Sequence, residues 1–281
     1  MSIVDRALWV MERNSEHALG LNNIADACGV SRSHLANAFG TATGWPVMRY
    51  LRARRLTEAA GRLAGGASDI LTIALEHGYG SHEAFTRAFR EQFNLSPEQV
   101  RDRGSVDGLA TTPPLQLRNG NVLSPSPQLK TLGALKLVGL AAPCSFGESI
   151  HIPAQWQRFM STYSDAIPNK VKMPPIGMCE VPDDDGGFRY VCAVAVKAFE
   201  DRLPELEYFE TEHRTYAVFA HNDHVSTIFD TYLAVWNEAL PRLARKVADS
   251  PVLEFHNSSF DPDTGFGGLE IYIPLQDHSG A

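Results

Sequence analysis

Cysteine is scarce in this chain. The four in 281 residues, Cys28, Cys144, Cys179 and Cys192, stand far apart with no CxxC pair, so neither a zinc ribbon nor a disulfide scaffold is expected. Long apolar runs are missing too: none approaches the roughly 20 residues of a membrane span. The opening MSIVDRALWVMERN lacks the basic start and apolar core of a secretory leader. A reducing cytoplasm, with no membrane partner, is the expected setting. Lysine is absent from the first 105 residues, which hold 12 arginines against 11 acids, whereas the remainder holds 13 Lys or Arg against 22 acids. The two parts therefore carry +1 and −9 of the formal −8. An arginine-only cation set suits planar, bidentate contacts to phosphate and guanine. No phosphate loop, GxGxxG or nucleophile elbow occurs. His221 and His224 have ligand-like spacing without a third ligand, so no metal or other cofactor is expected. Asp183 to Asp185 read as a polar hairpin turn.

What is present is a motif that occurs twice. Leu21 to Phe39, LNNIADACGVSRSHLANAF, reads as two short helices and a tight turn. Ile24, Ala25 and Cys28 give one apolar face, Gly29 supplies a positive φ, Ser31 caps the next helix, and Leu35, Ala38 and Phe39 face inward. Ile73, Ala74, Gly78, Tyr79, Ser81, Phe85, Ala88 and Phe89 repeat the pattern, with a constant offset of 50 residues from Ser31 and Ser81 onward. Each copy is a helix-turn-helix, whose second helix ordinarily enters the major groove of double-stranded DNA. Between them Pro46 opens a helix, PVMRYLRARRLTEAAGRL, with Arg49, Arg52, Arg54, Arg55 and Arg62 on its outer side.

Residues 104–128 are rich in Gly, Ser, Pro and Thr and read as a linker, although residues 114–118 also fit a short strand. Beyond them the apolar period becomes two. Strands are expected at 130–140, 176–180, 189–196, 216–221, 252–256 and 269–275, with amphipathic helices at 152–166 and 225–244. The order strand, helix, strand, strand thus occurs twice. The chain is read as multidomain: an all-α double helix-turn-helix domain over residues 1–104, a linker over 105–127, and an α+β domain of two β-α-β-β repeats over 128–281. A duplicated unit of this kind leaves a cleft between its halves.

The array A-x3-G-V-S-x3-L-x2-A-F, the RARRLTEA helix and G-Y-x-S-x3-F-x2-A-F-x3-F-x3-P resemble the DNA-binding domain of the AraC/XylS transcription factors, over residues 5–103. The resemblance implies two recognition helices about one helical turn (~34 Å) apart on one asymmetric site. By position, Arg32, Ser33, Ala36 and Asn37 form the outer face of the first recognition helix, and His82, Glu83, Ala84, Thr86 and Arg87 that of the second. Asn37 is suited to adenine, Arg87 to guanine and Glu83 to cytosine; Arg49, Arg52, Arg54 and Arg90 are phosphate candidates. Ser33 and Ala36 are small where the family often carries large polar readers. Arg62, Arg101 and Arg103 read equally well as a solvated face.

Residues 128–275 resemble the GyrI-like effector-binding domain, through Lys136 to Leu140, Ile152 to Phe159, Tyr216 to Phe219, Pro251 to Phe255, Phe260 to Gly265 and Glu270 to Pro274. That resemblance implies a small-molecule effector, cationic and amphipathic, held at Glu254 by charge and by cation–π contact. Trp156, Phe159, Tyr190, Tyr208, Trp236 and Tyr272 are candidate walls, each also readable as core. In the family the glutamate is usually followed by Arg-Tyr, and here by Phe255 and His256. The function implied is a non-enzymatic, effector-modulated transcriptional regulator, an activator that recruits RNA polymerase. The alternatives are a GyrI-like hydrolase using Glu254 as general base, or a protein-interaction module, fused to an autoregulatory DNA-binding domain.

Overall fold

The computed structural model of the chain describes residues 2–13, 19–66, 69–115, 126–146, 151–200, 202–243, 245–262 and 264–277. Seven helices come first: α1 (Ile3–Arg13), α2 (Leu21–Cys28), α3 (Arg32–Thr43), α4 (Val47–Ala64), α5 (Ile70–Glu76), α6 (His82–Phe93) and α7 (Pro97–Arg103). Their boundaries follow from local chemistry. Gly29 ends α2 at φ 72°, Ser31 accepts from the His34 amide to start α3, and Ser81 accepts from the Ala84 amide to start α6. Ile24, Ala25, Leu35 and Phe39 bury against Tyr50 and Leu51 at one end of α4. Ile73, Ala74, Phe85 and Phe89 bury against Leu56 and Leu63 at the other. The 18 residues of α4, about 27 Å of helix, hold the two motifs apart.

Arg54, expected on the outer side of α4 as a phosphate contact, is buried instead. Its guanidinium donates to both carboxylate oxygens of Glu12 at 2.8 Å, to Glu58 and to the Thr112 carbonyl. The Arg54 guanidinium bonded to it holds the Glu12 carboxyl below its usual range, against the opposing effect of burial. Arg55 is buried too, under the second turn, where its guanidinium abuts Gly78. The first half of the expected linker is not free: Val106 and Leu109 pack on the second motif's core and Leu115 on the first's. Two hydroxyls of α4 satisfy its backbone, Thr57 accepting from the Thr112 amide and Tyr50 from the Leu115 amide. Residues 114 and 115 form no strand, and 116–118 lie outside the described residues.

The rest is one eight-stranded antiparallel sheet with two helices. The strands are β1 (Gln128–Leu132), β2 (Lys136–Ser145), β3 (Ile176–Cys179), β4 (Gly187–Val196), β5 (Glu207–Glu210), β6 (Arg214–His221), β7 (Val252–His256) and β8 (Leu269–Pro274), in the order β1-β6-β8-β7-β3-β4-β2-β5. The strand expected at 130–140 is therefore two strands, split after Leu132, that lie far apart in the sheet. Flat, six strand spacings put β1 about 29 Å from β2, yet the chain from Leu132 to Lys136 reaches only about 14 Å. The sheet must curl. Its helix-free face is accordingly buried, with Leu132 beside one edge and Phe209 on the other in a single apolar cluster.

Both expected helices form, with the same internal variation. α8 (Ile152–Arg158) runs into a π-helical turn at Phe159–Tyr163 and a 3₁₀ turn at Ser164–Ala166; α9 (Ile228–Ala234) runs into a π turn at Val235–Ala239 and a 3₁₀ turn at Leu240–Arg242. Every boundary is repeated 76 residues on. The two β-α-β-β units are thus β2-α8-β3-β4 and β6-α9-β7-β8, joined side by side through β3 and β7. Apolar residues of the first motif share one continuous core with the second unit, through Trp236, Leu240, Ile271 and Ile273. The second motif keeps a core of its own.

Candidate functional site

α8 and α9 straddle the β3–β7 junction and leave between them a cavity of about 1540 Å³. Equivalent helix positions line it from both sides: Trp156 matches Tyr232 and Met160 matches Trp236, each pair 76 residues apart. Phe146, Phe188, Phe229, Phe260 and Cys179 complete an aromatic and apolar wall. Glu254 enters from β7 and is only 5% exposed. Tyr190 donates to its Oε2 and Tyr232 to its Oε1, each at 2.6 Å, and Trp156 Nε1 donates to the Tyr190 hydroxyl at 3.2 Å. Opposite Glu254 in the ladder stands Gly177. A Cβ there would lie 2.3 Å from the Tyr190 hydroxyl and 2.9 Å from Glu254 Oε2, so glycine is what lets the tyrosine reach the carboxylate.

Burial, and then the charge of Glu254, push the Tyr190 and Tyr232 phenols and the Cys179 thiol well above their usual values, so all three keep their protons. His256 moves the other way: burial lowers it below 6.5, although Glu254 and the Pro175 carbonyl oppose the shift. Its ring lies 5.3 Å from Trp156 and 4.2 Å from Phe260. No Lys or Arg forms an ion pair with Glu254 among the described residues. The cavity therefore presents a buried carboxylate, oriented by two phenols, within aromatic walls. A buried carboxylate among rings is the chemistry that suits an organic cation.

Of the residues singled out in the sequence, Glu254, Trp156, Tyr190 and Trp236 come together here, and three do not. Phe159, the first residue of the π turn, is fully buried against the sheet. Tyr208 sits on edge strand β5, where its hydroxyl accepts from the Leu203 amide and its ring meets Phe199. Tyr272 lies on the opposite sheet face, against Phe255 and Tyr216, because alternate residues of β8 point to opposite sides. Sequence reasoning missed Tyr232, although its placement 76 residues after Trp156 on a repeated helix was a usable signal. It also missed Cys179, His256 and Phe260. The pair His221 and His224 is accounted for internally: His221 Nε2 donates to the His224 carbonyl at 3.1 Å and Nδ1 meets Thr231 Oγ1 at 2.8 Å.

The two recognition helices are placed differently. On α6, Glu83, Arg87 and Arg90 are exposed, and His82 lies 3.5 Å from Glu98. On α4, Arg49 is exposed over the Trp45 ring and Arg52 is exposed 3.7 Å from Asp185. On α3, by contrast, Ser33 is buried and donates to the Ala248 carbonyl at 3.1 Å. Ala36 is buried, Arg32 pairs with Asp184, and Asn37 donates to the Ser33 carbonyl of its own helix. Of the DNA contacts expected on α3, Ser33 and Arg32 thus meet the second domain instead, and Asn37 bonds to its own helix.

A double helix-turn-helix joined to a curled sheet with a carboxylate-bearing aromatic cavity defines a ligand-responsive DNA-binding regulator. The chain belongs to the family of GyrI-like small molecule binding domains, which it matches over residues 125–276, and residues 24–103 match a helix-turn-helix domain, of the AraC type. It is 27% identical to the transcriptional regulator Rob of Salmonella typhimurium over 287 residues, covering 98% of each chain. It is 28% identical to the right origin-binding protein of Escherichia coli K12, again over 98% of both. The multiple antibiotic resistance protein MarA of Salmonella typhimurium is 34% identical over 100 residues, 36% of this chain and 76% of that protein. No described helix is long and apolar enough to cross a membrane.

Proposed function

We propose that this protein is a transcriptional activator whose DNA-binding domain (residues 1–104) reads a promoter through α6 and whose effector domain (residues 128–281) takes up a cationic, aromatic small molecule. Arg87 and Glu83 read base edges, and Arg49, Arg52 and Arg90 fix register on phosphates. The protein acts on DNA in the cytoplasm and brings RNA polymerase to the promoter. The observation that carries the effector reading is Glu254, whose two oxygens each accept a tyrosine hydroxyl at 2.6 Å inside an aromatic cavity. The same bonds argue against hydrolysis: a general base needs a carboxylate oxygen within hydrogen-bond reach of a water, and both oxygens of Glu254 already accept a phenol hydroxyl. The pocket is built to hold positive charge, not to make hydroxide.

Titrating the full chain with tetraphenylphosphonium, a rigid aromatic monocation, tests this. Trp156 and Trp236 line the cavity, so their fluorescence reports binding. Saturable binding is expected, weakened about tenfold or more by Glu254→Gln, with the neutral triphenylphosphine oxide binding poorly to both. Equal affinity for cation and neutral compound refutes the charge argument. Effector and DNA are expected to alter each other's affinity by one common factor.

A further inference from the structure

The face of α3 that reads DNA in a helix-turn-helix is the face opposite Leu35 and Phe39. Here it comprises Arg32, Ser33, Ala36, Asn37 and Gly40; Arg32 alone is a long polar side chain, and it is paired with Asp184 of the second domain. The structure explains the small side chains. Besides the Ser33 bond to Ala248, the Ser33 amide donates to Asp249 at 3.3 Å, and His34 Nε2 donates to the Trp236 carbonyl at 2.8 Å. Asn237 donates to the Ala38 carbonyl. At Gly40 a Cβ would lie 2.3 Å from the Phe146 ring, so the helix approaches the second domain through its bare backbone. The charges agree with the packing. The β3–β4 hairpin sets Asp184 on Arg32 and Asp185 near Arg52, and its Gly186 rests on Pro46. Carboxylates stand where phosphates would.

Two further observations separate a lasting arrangement from a passing contact. The apolar core is continuous from Leu35 and Phe39 to Trp236 and Ile271, whereas mobile domains meet through smaller, more polar surfaces. And the cavity that holds Glu254 is lined on one side by Asn37 and Thr41, one helical turn apart on α3. Among the described residues α6 has no such partner: its hydrogen bonds and ion pairs to other elements run to Ala53, Ser81 and Glu98, all in the first domain.

We propose that α3, in form a recognition helix, is the inner wall of the effector cavity and takes no part in reading DNA, so that one chain reads a single major-groove segment through α6 and the effector touches the other helix-turn-helix directly. The ligand half of this proposal rests on the effector reading above; the DNA half does not. Asn37 and Thr41 are the polar side chains that α3 presents to a bound ligand. An effector thereby bears on α3, and through α4 on the placement of α6.

The DNA half is tested by selecting sites from random duplexes with the full chain, with complex stoichiometry fixed by sedimentation. A one-to-one complex is expected to show a single block of specified bases, flattened by Arg87→Ala. Two blocks about one helical turn (~10 base pairs) apart in a one-to-one complex overturn the proposal. Hydrogen exchange supplies the second readout: selected DNA is expected to slow α6 and leave α3 unchanged, and slowing of α3 by DNA likewise overturns it. For the ligand half, Thr41→Trp fills the wall and is expected to weaken tetraphenylphosphonium at least tenfold. Unchanged affinity in a variant whose α6 still binds DNA shows that α3 is no wall. If the parent chain binds no cation while the single-block site stands, the effector reading fails and the DNA half holds.

Discussion

In the second helix-turn-helix Ser81 caps α6, Phe85 and Phe89 turn inward, and Glu83, Arg87 and Arg90 are left in solvent. In the first, Ser31 caps α3 and Leu35 and Phe39 turn inward in the same way, yet Ser33, Ala36 and Gly40 are buried under another domain. The local physics of the two copies is shared; the surroundings of their outer faces are not. A recognition motif guarantees a helix with one apolar and one outward face. What the outward face meets depends on side-chain size and charge, and the small residues of α3 permit a protein surface where the larger polar ones of α6 await DNA.

Trp236 is where this contrast is most easily broken. It is 1% exposed and bridges the first motif to the second β-α-β-β unit, so Trp236→Ala is expected to cost about 3–5 kcal/mol. Urea unfolding measures the loss, and hydrogen exchange should show amides of α3 opening faster while those of α6 hold. Arg54→Ala strikes the frame common to both motifs. It removes the buried partner of Glu12 and Glu58, and a loss of roughly 3 kcal/mol is expected by the same urea measurement.

Among DNA contacts, Arg87→Ala is expected to weaken a selected site by about 1–3 kcal/mol and to relax one base position. Arg49→Ala should instead weaken all duplexes alike and lower the salt slope by about one unit; fluorescence anisotropy across a salt series distinguishes them. Ser33→Ala removes one neutral hydrogen bond to Ala248 and is expected to cost about 1 kcal/mol of stability, read from the thermal midpoint. A drop in DNA affinity larger than that would restore α3 to the reading surface.

The mildest probe is pH. Burial holds His34 below the ordinary 6.5, although its bond to the Trp236 carbonyl opposes the shift. The unfolded chain therefore takes up a proton first, and stability falls as pH drops below about 6.5. His256 acts in the same direction. Thermal melts between pH 7.5 and 5.5 are expected to decline, and His34→Gln to reduce the slope without removing it. A steeper slope in that variant would contradict the assignment.

Much of the fold was legible because it is local. The glycine at φ 72° after α2, the serine caps and the inward phenylalanines each sit within a few residues of what they satisfy. The helix at 152–166 and the strand at 252–256 were read to the residue for the same reason. β5 was missed because EYFE is only four residues long, with acidic ends, on an edge where one partner strand suffices. Of the site, Glu254 was visible through the resemblance to the GyrI-like domain, which carries a glutamate at the matching strand position. Tyr272 and Tyr208 were misplaced because an aromatic in a strand does not announce which face of which strand it occupies. Arg54 was misread because its partner Glu12 is 42 residues away.

By itself the sequence determined the double motif, the duplicated β-α-β-β unit and the family to which the chain belongs, since each rests on spacing within a segment. Only the tertiary structure decided that the sheet curls, that the two halves enclose a carboxylate held by Tyr190 and Tyr232, and that α3 faces protein while α6 faces solvent. Ser33 and Ala248 are 215 residues apart. No periodicity carries information over that distance, because the contact is fixed by how whole elements pack and not by the pattern within either one.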